Sequence, residues 1–182
     1  MNLPNKLTML RIFLVPVFIA CFYLSGPLPR VWNIIAAVVL LTAALTDIVD
    51  GKIARHYGLV TNFGKLMDPI ADKLLFCSAF IMLTGIGWLP PIYTVIFIGR
   101  EFVISGFRLV ATNQGTVIAA NWLGKAKTVL QAVGCIAMLL ENPIFGLIGF
   151  RFDLFVMFLA AVFSIWSCAD YIIKNKGAIQ LT

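Results

Sequence analysis

Apolar residues run along this chain in six long stretches, approximately 7–25, 31–50, 69–89, 91–111, 125–141 and 152–173. Each is close to the roughly 20 residues that a helix needs to cross the hydrocarbon core of a bilayer. The breaks carry turn chemistry: Ser25-Gly26-Pro27 with Pro29, the run from Gly85 to Pro91, and Asn142-Pro143 with Gly146 and Gly149. Segments 51–67 and 112–124 are more polar, and no low-complexity tract or internal repeat is present. Unpaired backbone groups are costly in hydrocarbon, so every stretch is expected to be a helix. The pattern predicts an all-α polytopic membrane protein, a single domain over 1–182 with six transmembrane helices.

Composition agrees. Of 182 residues, 61% are apolar and 12% charged, and the mean hydropathy is +0.98. A soluble domain is nearer half apolar and a quarter charged. The N-terminal stretch has the basic start of a secretory signal, but no small-residue cleavage site follows; it reads as a retained first helix. Cys21, Cys77, Cys135 and Cys168 each stand alone in apolar surroundings, as small hydrophobes do, and predict neither disulfides nor a thiolate metal site. The single histidine, His56, reads as a headgroup-level polar residue.

The net charge of +6 points to basic cytoplasmic loops and anionic lipid headgroups, with no nucleic-acid partner expected. With the N-terminus inside, Lys6, Arg11, Lys52, Arg55, Lys65, Arg108, Lys125, Lys127, Lys174 and Lys176 fall near the cytoplasmic side, against Arg30 and Arg151 outside. Lys73 and Arg100 fall within spans. This bias sets both termini in the cytoplasm of a multi-pass protein.

The acids are distributed unevenly. Four of the eight, Asp47, Asp50, Asp68 and Asp72, lie within 26 residues. Spacings of three and four place each pair on one helical face, and consecutive antiparallel spans bring both pairs to the same membrane surface, in a cytoplasm-facing polar cavity. Pro69 disfavours helical geometry at Asp68 unless a helix begins there. Ordinary helix-end acids would pair with Lys52, Arg55, Lys65 and Lys73. Four clustered carboxylates instead suit hard divalent cations such as Mg²⁺ or Mn²⁺. They suffice for two metals roughly 3.5–4 Å apart, an arrangement that clamps phosphoryl oxygens.

The complete string from Asp47 to Asp72 reads D-x2-D-G-x2-A-R-x8-G-x3-D-x3-D, with fixed positions at Asp47, Asp50, Gly51, Ala54, Arg55, Gly64, Asp68 and Asp72. It resembles the signature of the CDP-alcohol phosphotransferase family. The flanks Leu3–Arg11, Gly99–Arg108 and Asn121–Thr128 resemble the bacterial branch that transfers the phosphatidyl group of CDP-diacylglycerol to glycerol 3-phosphate, giving phosphatidylglycerol phosphate and CMP.

The resemblance implies that Asp47, Asp50 and Asp68 bind metal and that Asp72 both touches a metal and acts as general base. It also implies six spans, a homodimer and a place in the bacterial cytoplasmic membrane, among membrane lipids. Gly51 and Gly64, lacking side chains, and Ala54 would let the nucleotide approach the backbone, and Arg55 would pair with the diphosphate through its planar fork. Asn5, Thr8 and Arg11, spaced three apart, would line one face of an N-terminal helix near the membrane surface and touch substrate there; the alternative for Asn5 and Thr8 is helix capping. A phosphorylated acceptor needs a basic pocket, for which Arg108, Lys125 and Arg100 are the candidates; an ion pair with Glu101 is the alternative for Arg100. Inositol phosphate, serine or phosphatidylglycerol are rival acceptors. A divalent-cation transporter is a rival of another class, against which stands the clustering of the acids at one surface.

Overall fold

The computed structural model describes residues 3–24, 28–56, 62–113, 122–142 and 149–175, with the backbone course alone at 3–5, 47–56, 62–66, 68, 69, 72 and 113. Six helices account for nearly all of this: α1 (Leu3–Tyr23), α2 (Pro29–His56), α3 (Asn62–Gly85), α4 (Pro91–Asn113), α5 (Trp122–Leu139) and α6 (Phe152–Asn175). There is no strand among the described residues. Three helices contain segments long and apolar enough to cross a membrane, Lys6–Tyr23, Pro29–Thr46 and Phe152–Asn175; α3 has a shorter apolar segment, Lys73–Gly85.

The helices begin and end where local chemistry directs. Pro29 and Pro91 open α2 and α4, since proline's fixed φ suits the first turn and its missing N–H is not needed there. Past the end of α3, Gly87 takes φ +78°. Trp88 N–H donates to the Leu83 carbonyl at 3.0 Å and Gly87 N–H to that of Thr84 at 2.9 Å, a Schellman closure. The end of α5 repeats the arrangement without glycine. Glu141 sits at φ 58°, and Asn142 N–H reaches the Ala137 carbonyl at 3.0 Å. The Asn142 side chain then accepts from the backbone N–H of Asp153 at 3.1 Å, fastening the start of α6 to the end of α5.

The largest helix pairing is α5 on α6, where the sequence supplies small residues at helical spacing. The buried positions of α6 include Met157, Ala160, Ser164, Ser167 and Tyr171, at steps of three and four. Those of α5 include Lys127, Gln131, Gly134 and Met138. Small residues let the helix backbones approach closely. A Cβ added at Gly134 would stand 2.9 Å from the Met157 sulfur. On the other side of the molecule, α1 packs against both α2 and α3. Phe18, Leu40, Ala79, Phe80, Leu83 and Phe97 form the apolar core. Phe80 and Phe97 bring α3 to α4 with ring centroids 4.8 Å apart, and Thr84 and Thr94 share a hydrogen bond of 2.6 Å between the same helices.

Two expectations change. The polar segment 51–67 was expected between spans, yet α2 continues to His56 and α3 starts at Asn62. The motif helices are polar where they extend, and hydropathy does not register such turns. Pro69 therefore lies inside α3. Having no N–H, it offers nothing to the carbonyl of Lys65 four residues back, and the helix continues through that gap.

Candidate active site

All eight motif positions are helical. Asp47, Asp50, Gly51, Ala54 and Arg55 lie on the last turns of α2, and Gly64, Asp68 and Asp72 on the first turns of α3. At 1.5 Å per residue, Asp47 is about 27 Å along α2 from Pro29, and Asp68 and Asp72 are about 26 and 20 Å from the end of α3 at Gly85. The two aspartate pairs thus lie on the helix stretches that flank residues 57–61. The side chains of these eight residues, and of Asn5, lie outside the described residues. The expected cytoplasm-facing cavity between the pairs falls among them.

The helix arrangement adds an element that spacing alone did not predict. Among the described residues, α2 and α3 touch each other little, and α1 packs on both. Thr8 and Arg11 of α1 are buried, at 0% and 1% exposure. The face that carries Thr8 and Arg11 is therefore turned inward, on a helix that packs against both helices bearing the aspartate pairs.

The three candidates for an acceptor-phosphate pocket have different surroundings. Arg108 is exposed; its Nε donates to the Tyr171 hydroxyl of α6 at 3.1 Å, and its guanidinium lies 5.4 Å from that ring's centroid. Phe107 braces the same ring edge-on at 5.8 Å. Lys125 is exposed at the start of α5. Arg100 is largely buried. It donates to Glu101 Oε1 at 3.1 Å and to Ser167 Oγ of α6 at 3.4 Å. Its other neighbour is Gly124 of α5, where an added Cβ would stand 3.2 Å from the guanidinium. Arg100 also borders a groove of about 430 Å³ between α4 and α6, whose walls include Val95, Gly99, Val103, Ile165 and Cys168.

Glu101 is the centre of a polar cluster of which the sequence offered only the Arg100–Glu101 pair, here formed at 3.1 Å. Lys127 of α5, only 3% exposed at its side chain, donates to the same Glu101 Oε1 that Arg100 holds. Lys73 of α3 donates to Ser105 Oγ of α4, and Ser105 in turn donates to the Glu101 carbonyl at 2.5 Å. One acid therefore pairs with two cations, and a third is tied to its backbone carbonyl through Ser105, the three cations drawn from three helices. The sequence signal was present, because ionisable groups inside spans are expensive and default to function. By sequence, Lys73 and Arg100 fall within spans and Lys127 near the cytoplasmic side. At the opposite end, Arg151 is held by Asp153 through bonds of 3.1 and 2.9 Å, which raise the guanidinium above its already high ordinary value.

The chain matches the CDP-alcohol phosphatidyltransferase family over residues 1–166. A CDP-diacylglycerol–glycerol-3-phosphate 3-phosphatidyltransferase of Bacillus subtilis is 39% identical over 188 residues, covering 98% of this chain and 97% of that protein. A protein of the same name from Rickettsia bellii is 43% identical over 130 residues, with 71% of this chain and 70% of the relative covered. A probable phosphatidylglycerophosphate synthase of Mycobacterium tuberculosis is 37% identical over 186 residues, spanning 100% of this chain and 86% of the relative. With a match over residues 1–166 and an eight-position motif on the last turns of α2 and the first turns of α3, the chain belongs to the CDP-alcohol phosphatidyltransferase family.

Proposed function

We propose that this chain transfers the phosphatidyl group of CDP-diacylglycerol to glycerol 3-phosphate, giving phosphatidylglycerol phosphate and CMP. The observation that carries the reading is the aspartate motif, supported by near full-length relatives named for this reaction. A hydroxyl oxygen of glycerol 3-phosphate forms the new bond to the β-phosphorus. The bond from that phosphorus to the CMP phosphate oxygen breaks, and CMP leaves with the electron pair. The acceptor's proton goes to the Asp72 carboxylate, positioned as general base.

The donor set of Asp47, Asp50, Asp68 and Asp72 is all carboxylate oxygen, which fits Mg²⁺ or Mn²⁺ and would hold two such ions. When bound, those ions would neutralise the diphosphate charge and polarise its phosphoryl oxygens. The chain's own groups do the rest. Gly51, Ala54 and Gly64 give the nucleotide close access to the backbone, Arg55 pairs with the diphosphate, and Asn5 and Thr8 face the same substrate. Arg108, Lys125 and Arg100 attract the acceptor's phosphate.

The same reading makes the chain a single membrane domain with six crossings and both termini in the bacterial cytoplasm, working as a homodimer. Its lipid substrate would keep its tails in the bilayer and bring its headgroup to the aspartates from the side. CMP release by the purified protein, measured with glycerol 3-phosphate or inositol phosphate as acceptor, tests the assignment. Release with inositol phosphate alone would keep the chemistry and replace the acceptor.

A further inference from the structure

We infer that Lys73 is a positioning residue whose ammonium, latched onto Ser105, fixes the turn of α3 that carries Asp68 and Asp72. The inference rests on the proposed role of those aspartates. Lys73 follows Asp72 directly in sequence, so a restraint on its side chain restrains the backbone that aims Asp72. Its partner is well fixed: Ser105 Oγ accepts from Lys73 Nζ and donates its own hydrogen to the Glu101 carbonyl.

Local chemistry makes such a latch useful. Pro69 stands one turn before Lys73 and removes a backbone hydrogen bond from the same stretch of helix. Other ties between α3 and α4 among the described residues, Thr84 to Thr94, Thr94 to the Phe80 carbonyl and Phe80 to Phe97, are nearer the far end of α3. Depth agrees as well. Counted from the outer helix ends, Asp72 and Ser105 each lie about 20 Å along their helices.

The alternative task for Lys73 is to neutralise Glu101. That carboxylate already accepts from both Arg100 and Lys127. The hydrogen bond of Lys73 goes to Ser105, so the third cation is free to serve geometry.

The test compares the unaltered protein with Lys73→Met, Lys73→Arg and Ser105→Ala, each as the full chain in lipid nanodiscs. Mn²⁺ binding is measured by electron paramagnetic resonance without substrates, beside kcat and KM for CMP release. Supporting residues around a metal site typically account for about 10-fold or more in affinity or rate. Lys73→Met is expected to weaken Mn²⁺ binding and lower kcat by about that factor, with KM for glycerol 3-phosphate unchanged. Ser105→Ala should move both readouts the same way by less, and Lys73→Arg should restore most of each. Unchanged Mn²⁺ affinity and kcat in Lys73→Met, even with lowered thermal stability, would overturn the inference. A raised KM with intact Mn²⁺ affinity would also overturn it, because Lys73 would then touch the acceptor. If Lys73→Met does not fold, Ser105→Ala decides by the same readouts. If the unaltered protein releases no CMP, the proposed function fails and the Mn²⁺ comparison alone decides the latch; no Mn²⁺ binding by the unaltered protein overturns both.

Discussion

Asp72 and Arg108 carry different kinds of expectation. A general base contributes roughly 10²–10⁴-fold to rate, so Asp72→Asn should lower CMP release by about that factor. CDP-diacylglycerol binding, followed by a direct binding assay, should stay within a few-fold. Full turnover in this variant would remove Asp72 from the proton-transfer role. Arg108 is held by Tyr171 and braced indirectly by Phe107, so its guanidinium is oriented before any ligand arrives. Arg108→Lys keeps the charge and loses the fork, which matters where a planar donor meets a phosphate. The expected outcome is a KM for glycerol 3-phosphate raised about 10-fold, equivalent to about 1.4 kcal/mol of binding. Tyr171→Phe should give a smaller rise in the same steady-state assay. An unchanged KM in both would separate Arg108 from the acceptor.

At the scale of helices, the apolar stretches were legible because hydropathy reads lipid-facing surface directly. The stretches at 91–111 and 152–173 correspond to α4 (Pro91–Asn113) and α6 (Phe152–Asn175) within a few residues. The polar extensions of α2 and α3 were not legible, since their turns bear Asp, Lys, Arg and Gly in place of an apolar run. The burial of Lys127 was missed for a different reason. Its partner Glu101 lies on another helix, 26 residues away in sequence, and a lysine near the end of an apolar stretch reads as part of the cytoplasmic boundary. Removing one member of a buried ion pair costs about 3–5 kcal/mol. Glu101→Gln should therefore lower the thermal unfolding midpoint in detergent, and adding Lys127→Gln should recover part of the loss. At the α5–α6 contact, Gly134→Val would press on Met157. Overpacking of this kind costs about 1–3 kcal/mol, which thermal unfolding would register as a lowered midpoint with kcat per folded molecule little changed.

Across the molecule, the six helices of the described residues form a scaffold for a chain with few charges. The aspartate pairs on α2 and α3, the inward face of α1, and the Lys73–Ser105–Glu101–Lys127 cluster all draw on residues that composition alone would place at headgroups. The motif was readable because its spacing matches helical faces. The packing of α1 against both helices that carry it was not, because the sequence does not reveal which helices pack together. The decisive measurement is CMP release by the purified protein with CDP-diacylglycerol, glycerol 3-phosphate and Mg²⁺ or Mn²⁺, repeated after chelation. The proposed activity requires glycerol 3-phosphate, stops on chelation and returns when metal is restored. Equal release in the presence of excess chelator, or none with glycerol 3-phosphate under any metal condition, would contradict it.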